Sequence, residues 1–121
     1  MPKAPRKRPD NYSVLLTLRG HVKARPKAAY EAIDASLQAR GDSRGGYLAE
    51  PSAFLIIVQG GWWYRGEYRV VPDATGSHIE HTILNVAQRA RALSGGPARS
   101  ALKAAPDEFA KLMKQLRAEL E

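Results

Sequence analysis

The sequence contains no cysteine, which excludes disulfides and thiolate metal sites. It has no apolar run near the roughly 20 residues a helix needs to cross a bilayer, so no membrane insertion is expected. The opening residues, MPKAPRKRPD, are basic, but no hydrophobic stretch follows them. They do not read as a secretory signal, and a soluble cytoplasmic protein is the expectation. Histidine is sparse, with only His21, His78 and His81. On a strand, His78 and His81 point to opposite faces and cannot share a metal, so no metal site and no cofactor are expected. The GGPARS stretch follows no clear strand and lacks the lysine of a phosphate-binding loop. No serine sits in a nucleophile elbow. Acid is missing from residues 87–105, which hold Arg89, Arg91, Arg99 and Lys103.

The 121 residues suffice for one domain with one core. The net charge of +7 is concentrated in two places, the 87–105 segment and residues 1–10, where Lys3, Arg6, Lys7 and Arg8 face only Asp10. Elsewhere 11 basic residues balance 11 acidic ones. Residues 1–11 contain three prolines and no apolar periodicity. They read as a flexible basic tail ahead of a single domain at 12–121. The two basic patches are either solvated surface or attractors of phosphate.

Residues 12–23 alternate, with Val14, Leu16, Leu18, Gly20 and Val22 on one face and Leu15 an exception on the other. This predicts a strand with one wet face. Pro26 suits a first helical turn, Ala29, Tyr30, Ile33 and Leu37 follow at helical spacing, and Gly41 suits the stop. GDSRGG reads as a loop. Four extended segments are expected: 47–50, 53–59, 62–71 and 77–87. Gly60-Gly61 suggests a two-residue hairpin turn, and PDATG marks a second turn. The last three segments then make an antiparallel meander. Gly95-Gly96-Pro97 breaks the chain, with one or two helical turns in 98–105. Pro106 opens a clear final helix whose Phe109, Leu112, Met113, Leu116 and Leu120 share one face.

In 62–71 one face carries Trp62, Tyr64, Gly66, Tyr68 and Val70, and the other carries Trp63, Arg65, Glu67, Arg69 and Val71. Unpaired buried charge is costly, so the charged face is expected outward. That places Trp62, Tyr64 and Tyr68 inward and Trp63 outward. The mid-strand Gly66 suits a bulge or bend. In 77–87 the branched Ile79 and Ile83 mark their face as inward, which brings His81 and Asn85 among apolar residues. With the faces reversed, His78 and Glu80 would be the inward polar pair.

The order strand, helix, meander, long terminal helix resembles the START/Bet v 1-like superfamily, the polyketide cyclase/dehydrase and lipid transport group. VKARPKAAYEAID at 22–34 is similar to its strand-to-helix passage, and FAKLMKQLRAELE at 109–121 is similar to its closing helix. The resemblance covers about residues 12–121. The chain departs from the family in its length and in its five expected strands, to which 87–93 adds an extension. GDSRGG stands where the family has a tryptophan-containing segment. The resemblance implies a shortened α+β helix-grip fold, a curved antiparallel β-sheet wrapped around a long C-terminal α-helix. It implies an apolar ligand, a lipid, polyketide-like or aromatic molecule, held between them. Trp62, Tyr64, Tyr68, His81, Asn85, Phe109 and Met113 are the residues placed to line that space.

Three other functions fit the residues. His81 as acid/base would suit a small cyclase- or aromatase-like enzyme; spacing alone does not select catalysis over binding. The tail and the 89–103 cations would suit a nucleic-acid or other polyanion module, though no nucleic-acid motif accompanies them. An outward Trp63 together with Leu93 would suit a homodimer contact.

Overall fold

The computed structural model describes residues 3–41, 45–88 and 95–121. Part of the expected GDSRGG loop, most of the 87–93 extension, and Arg89, Arg91 and Leu93 lie outside the described residues. The order is β1 (Ser13–Val22), α1 (Pro26–Ala39), β2 (Gly46–Glu50), β3 (Leu55–Gly60), β4 (Tyr64–Asp73), β5 (Gly76–Asn85) and α2 (Gly95–Leu120). The five strands form one antiparallel sheet in the order β1-β5-β4-β3-β2. The expected meander is β3-β4-β5. β1 runs along β5 and β2 along β3, so these two are the edges. The molecule is an α+β fold with a curved sheet and a C-terminal helix.

Both helices pack on one face of the sheet. α1 buries Ala29, Tyr30, Ile33 and Leu37, the stripe expected from its spacing. α2 buries Phe109, Leu112, Met113 and Leu116 against Val22, Ile56, Val58, Tyr68, Val70 and Ile79. Met113 lies directly on Gly20, where a Cβ would come within 2.8 Å of its sulfur. A side chain at 20 would force the flexible Met113 side chain to swing aside.

Several expectations are corrected. α2 does not open at Pro106 but runs through it, absorbing the turns expected at 98–105. The buried Ala98 and Ala105 extend the stripe of Phe109, Leu112 and Leu116 upstream, and this shared face outweighs the lost N–H of an exposed proline. β1 carries a bulge: Val14 pairs with Leu84 but Leu16 with Ile83. The extra residue, Leu15, packs near Trp63, Ala87 and Ala98, while Val14 turns outward and is 52% exposed. The bulge accounts for the residue that broke the alternation.

The first hairpin also differs. Gly60 pairs with Tyr64, so the turn is Gly61–Trp63, three residues rather than two. Gly61 adopts a φ of 59°, a left-handed value that suits glycine. Both tryptophans therefore sit in the turn, where strand alternation does not apply. Trp62 is half exposed, not inward, and Trp63 is buried, not outward.

The charged face of β4 is buried, not wet, over its first half, while Arg69 and Val71 farther along it are exposed as expected. Arg65 is 1% exposed and Glu67 6%. What covers them is the segment expected as a flexible tail. Ala4 donates its N–H to the Tyr47 carbonyl (3.2 Å) and packs on Leu55 and Ile57. Arg65 donates to the carbonyls of Pro5 (2.7 Å) and Arg6 (3.1 Å) and to Glu67 (2.9 Å). Arg8 donates twice to Glu67, at 3.0 and 2.7 Å, and stacks over Tyr12. The segment shows no periodicity because backbone carbonyls and charges hold it, not an apolar stripe. It also explains why β3 reads as continuously apolar, since the strand is covered on both faces.

Candidate functional site

α2 changes character along its length. Its second half presents Phe109, Leu112, Met113 and Leu116 to the sheet, whereas the buried residues described in its first half are the alanines Ala98 and Ala105. Ala101, Ala104 and Ala105 stand opposite Tyr64, His81 and Ile83, and a cavity of about 310 Å³ remains between them. Val58, Tyr68, Phe109 and Leu112 complete its apolar wall, and Arg40 and Glu108 stand at it as well.

His81 forms the centre of this wall. Its ring lies 3.9 Å from that of Tyr68, nearly parallel, and 6.2 Å from that of Phe109. Its Nδ1 is 3.2 Å from the Glu67 carbonyl oxygen. A carbonyl only accepts, so Nδ1 carries the hydrogen, and in the neutral ring Nε2 holds the lone pair. Tyr64 folds back over Gly66: a Cβ at 66 would lie 2.6 Å from the Tyr64 hydroxyl and 3.2 Å from His81 Cε1. The glycine makes room for the tyrosine beside the histidine.

Across the sheet, Glu67 is governed by opposing effects. Burial pushes its carboxyl up, but hydrogen bonds from Arg8 and Arg65 more than offset this and hold it below its ordinary value. The same bond to Glu67 raises the Arg8 guanidinium. Tyr30, in the core beneath α1, is pushed up to about 12 by burial and by nearby Asp34, and its hydroxyl donates to the Leu55 carbonyl at 3.1 Å.

Of the expected site residues, Tyr64, Tyr68, His81 and Phe109 come together at the cavity. Trp62 does not, being at the exposed hairpin turn. Asn85 is buried but lies at the end of β5, where its Oδ1 accepts the Ala87 N–H (3.0 Å) and steers the chain out of the strand. Met113 is core, seated on Gly20. Sequence reasoning missed Arg40, Glu108 and the alanines. The alanines had a signal, since their helical spacing continues the Phe109 stripe with side chains too small to fill it.

His78 and His81 do face opposite sides. His78 instead neighbours His21 across the β1–β5 pair, and both approach Asp73, at 2.8 and 3.3 Å. Among the described residues no group of three His, Cys, Asp or Glu side chains is arranged to hold a metal ion. No helix among them is long and apolar enough to cross a membrane.

No family model and no curated protein matches the chain. Among solved structures, the crystal structure of TTHA0849 from Thermus thermophilus is similar over 86% of this chain and 94% of its own, with a TM-score of 0.49 and 10% identity.

Proposed function

We propose that this protein binds a small hydrophobic ligand, lipid, polyketide-like or aromatic, in the cavity between the sheet and α2. The fold would then be a shortened helix-grip of the START/Bet v 1-like kind. The observation that carries the reading is the cavity itself, walled by Tyr64, Tyr68 and His81 of the sheet and Phe109 of α2, where the preceding turns of α2 set only the small side chains of Ala101, Ala104 and Ala105 against it. Its volume falls at the small end of ligand sites, about 300–1,000 Å³. Aromatic walls offer large apolar area with little loss of side-chain freedom.

Native mass spectrometry of the protein purified from lysate tests this. The expected result is a stoichiometric small adduct, released by organic solvent and absent from Ala101→Leu, which fills the cavity. A bare polypeptide mass, with no uptake of added decanol, would overturn it.

A second reading rests on the fixed orientation of His81. A ring held at Nδ1 by a backbone carbonyl presents Nε2 in a set direction, as an acid/base group requires. An enzyme of the cyclase or aromatase type would lose turnover in His81→Gln while retaining ligand. Retained turnover would remove His81 from the chemistry.

A further inference from the structure

We propose that the outer edge of β1 takes an extended acidic segment of a partner protein, which adds to the sheet as a further strand and sets its carboxylates beside a row of cations on α2. The two edges of the sheet differ. β2 is five residues long, and the N-terminal segment lies along it, with Lys3 bridged to Tyr47 and the Ala4 N–H on the Tyr47 carbonyl. β1 is ten residues long, holds neither proline nor lysine, and has β5 as its strand partner on one side only. A long edge without such blocking residues is a template for another strand.

Three contacts show which backbone groups of β1 face outward. The Val22 carbonyl turns towards β5, since a Cβ on Gly76 would come within 2.3 Å of it. The His21 carbonyl turns the other way and accepts from Arg117 Nε at 3.1 Å. Two residues on, the Lys23 N–H donates to Glu121 at 2.9 Å. Direction alternates along an antiparallel strand, and each residue's N–H and C=O point the same way. Thr17 and Arg19 lie beyond the bulge at Val14/Leu16 and share the outward direction of His21. α2 thus occupies the far end of the edge and leaves the N–H and C=O groups of Thr17 and Arg19 to an incoming strand.

The charge beside this edge selects the partner. α2 runs along β1 in the same direction: Ala98 clusters with Leu15, Met113 lies on Gly20, Arg117 reaches His21 and Glu121 reaches Lys23. Arg99 precedes Arg117 by 18 residues, five full turns, so both project from the flank beside β1. Lys103 and Lys114 lie within about 60° of that direction. Arg99, Lys103 and Lys114 are exposed, and among the described residues none of them pairs with a carboxylate. The carboxylates on that flank are Asp107 and Glu121, and Glu121 is engaged by Lys23. From Arg99 to Arg117 the row spans about 27 Å, the length of about eight extended residues. Cations alone would suit any polyanion. The alternating N–H and C=O groups beside them match a polypeptide, and a nucleic-acid strand has no such series to offer.

The test is fluorescence anisotropy at low ionic strength with labelled octapeptides of alternating Glu and Val, or of alternating Lys and Val. The Glu peptide should bind at least about tenfold more tightly than the Lys peptide. N-methylation of one alternate set of its amides, which keeps the charge and removes donors, should abolish binding, while methylation of the other set leaves it. Bound peptide should slow hydrogen exchange at the Thr17 and Arg19 amides. Arg99→Gln, Lys103→Gln and Lys114→Gln together should weaken the Glu peptide at least fivefold with the urea midpoint unchanged. Failure of the Glu peptide to bind, equal binding of the Lys peptide, or binding that survives methylation of either set would overturn the proposal. A dimer that protects the same amides without peptide would give the edge to a second copy, and single-stranded DNA displacing the peptide at lower concentration than unlabelled peptide would give the cations to nucleic acid. Either result would overturn it too. None of these outcomes bears on the cavity.

Discussion

Glu67 works on both faces of the sheet. Its side chain accepts from Arg8 and Arg65 on the outer face, and its carbonyl accepts from His81 on the inner one. The clamp on the N-terminal segment and the orientation of the cavity histidine therefore meet in one residue. Arg65 remains buried because every partner it needs is supplied, two carbonyls, Glu67 and Gln59 Oε1. Removing one member of such a buried network leaves the other charges uncompensated, which costs about 3 kcal/mol or more. Glu67→Gln is expected to lose about that much stability in urea unfolding, with both arginines left facing a neutral amide. A loss under about 1 kcal/mol would mean that the pair is as weak as an exposed one.

At the scale of elements, α2 carries a cost that its packing outweighs. Pro106 has no N–H for the Leu102 carbonyl four residues back, and an interior proline costs a helix about 3 kcal/mol. Its side is exposed, so no buried contact depends on the ring. Pro106→Ala is therefore expected to stabilise the protein by about 1–2 kcal/mol, the helical gain being partly offset by a freer unfolded chain. A raised midpoint in urea with unchanged slope would show it. A lowered midpoint would show that the helix is shaped around the proline. The strap of residues 3–8 is the other element with a structural task. It covers Leu55 and Ile57 on the outer face of the sheet and pairs with carboxylates there, Arg6 with Glu50 of β2 and Arg8 with Glu67 of β4. The tail thus offers fewer cations to a polyanion than its composition alone counts.

For the whole molecule, the acid limb of stability follows from Glu67. Its carboxyl is lowered in the folded state, so the folded protein holds the ionised form more strongly than the unfolded chain does. That contribution is fully present above the unfolded carboxylate value, near 4.3. It is lost as pH falls from there through the lower folded value, because protonation breaks the bonds to Arg8 and Arg65. Wild-type stability should fall steeply in this window, and Glu67→Gln should show a shallower decline, measured by thermal unfolding between about pH 2 and 6. Parallel curves would place the acid sensitivity in other carboxylates.

The amino-acid sequence by itself determined the element order, the meander, the faces of α1 and of the second half of α2, and the inward face of β5 with His81. These follow from local periodicity, which the burial of one side of an element imposes directly on its residues. Tertiary structure alone decided the rest. Which tryptophan is buried depended on a turn one residue longer than Gly-Gly suggested, and strand alternation stops at a turn. Whether Arg65 and Glu67 were wet depended on residues about 60 positions away in the chain, a separation that no local pattern records. The cavity depended on which bulky residues of the sheet lie opposite three alanines, and that pairing exists only once α2 is docked.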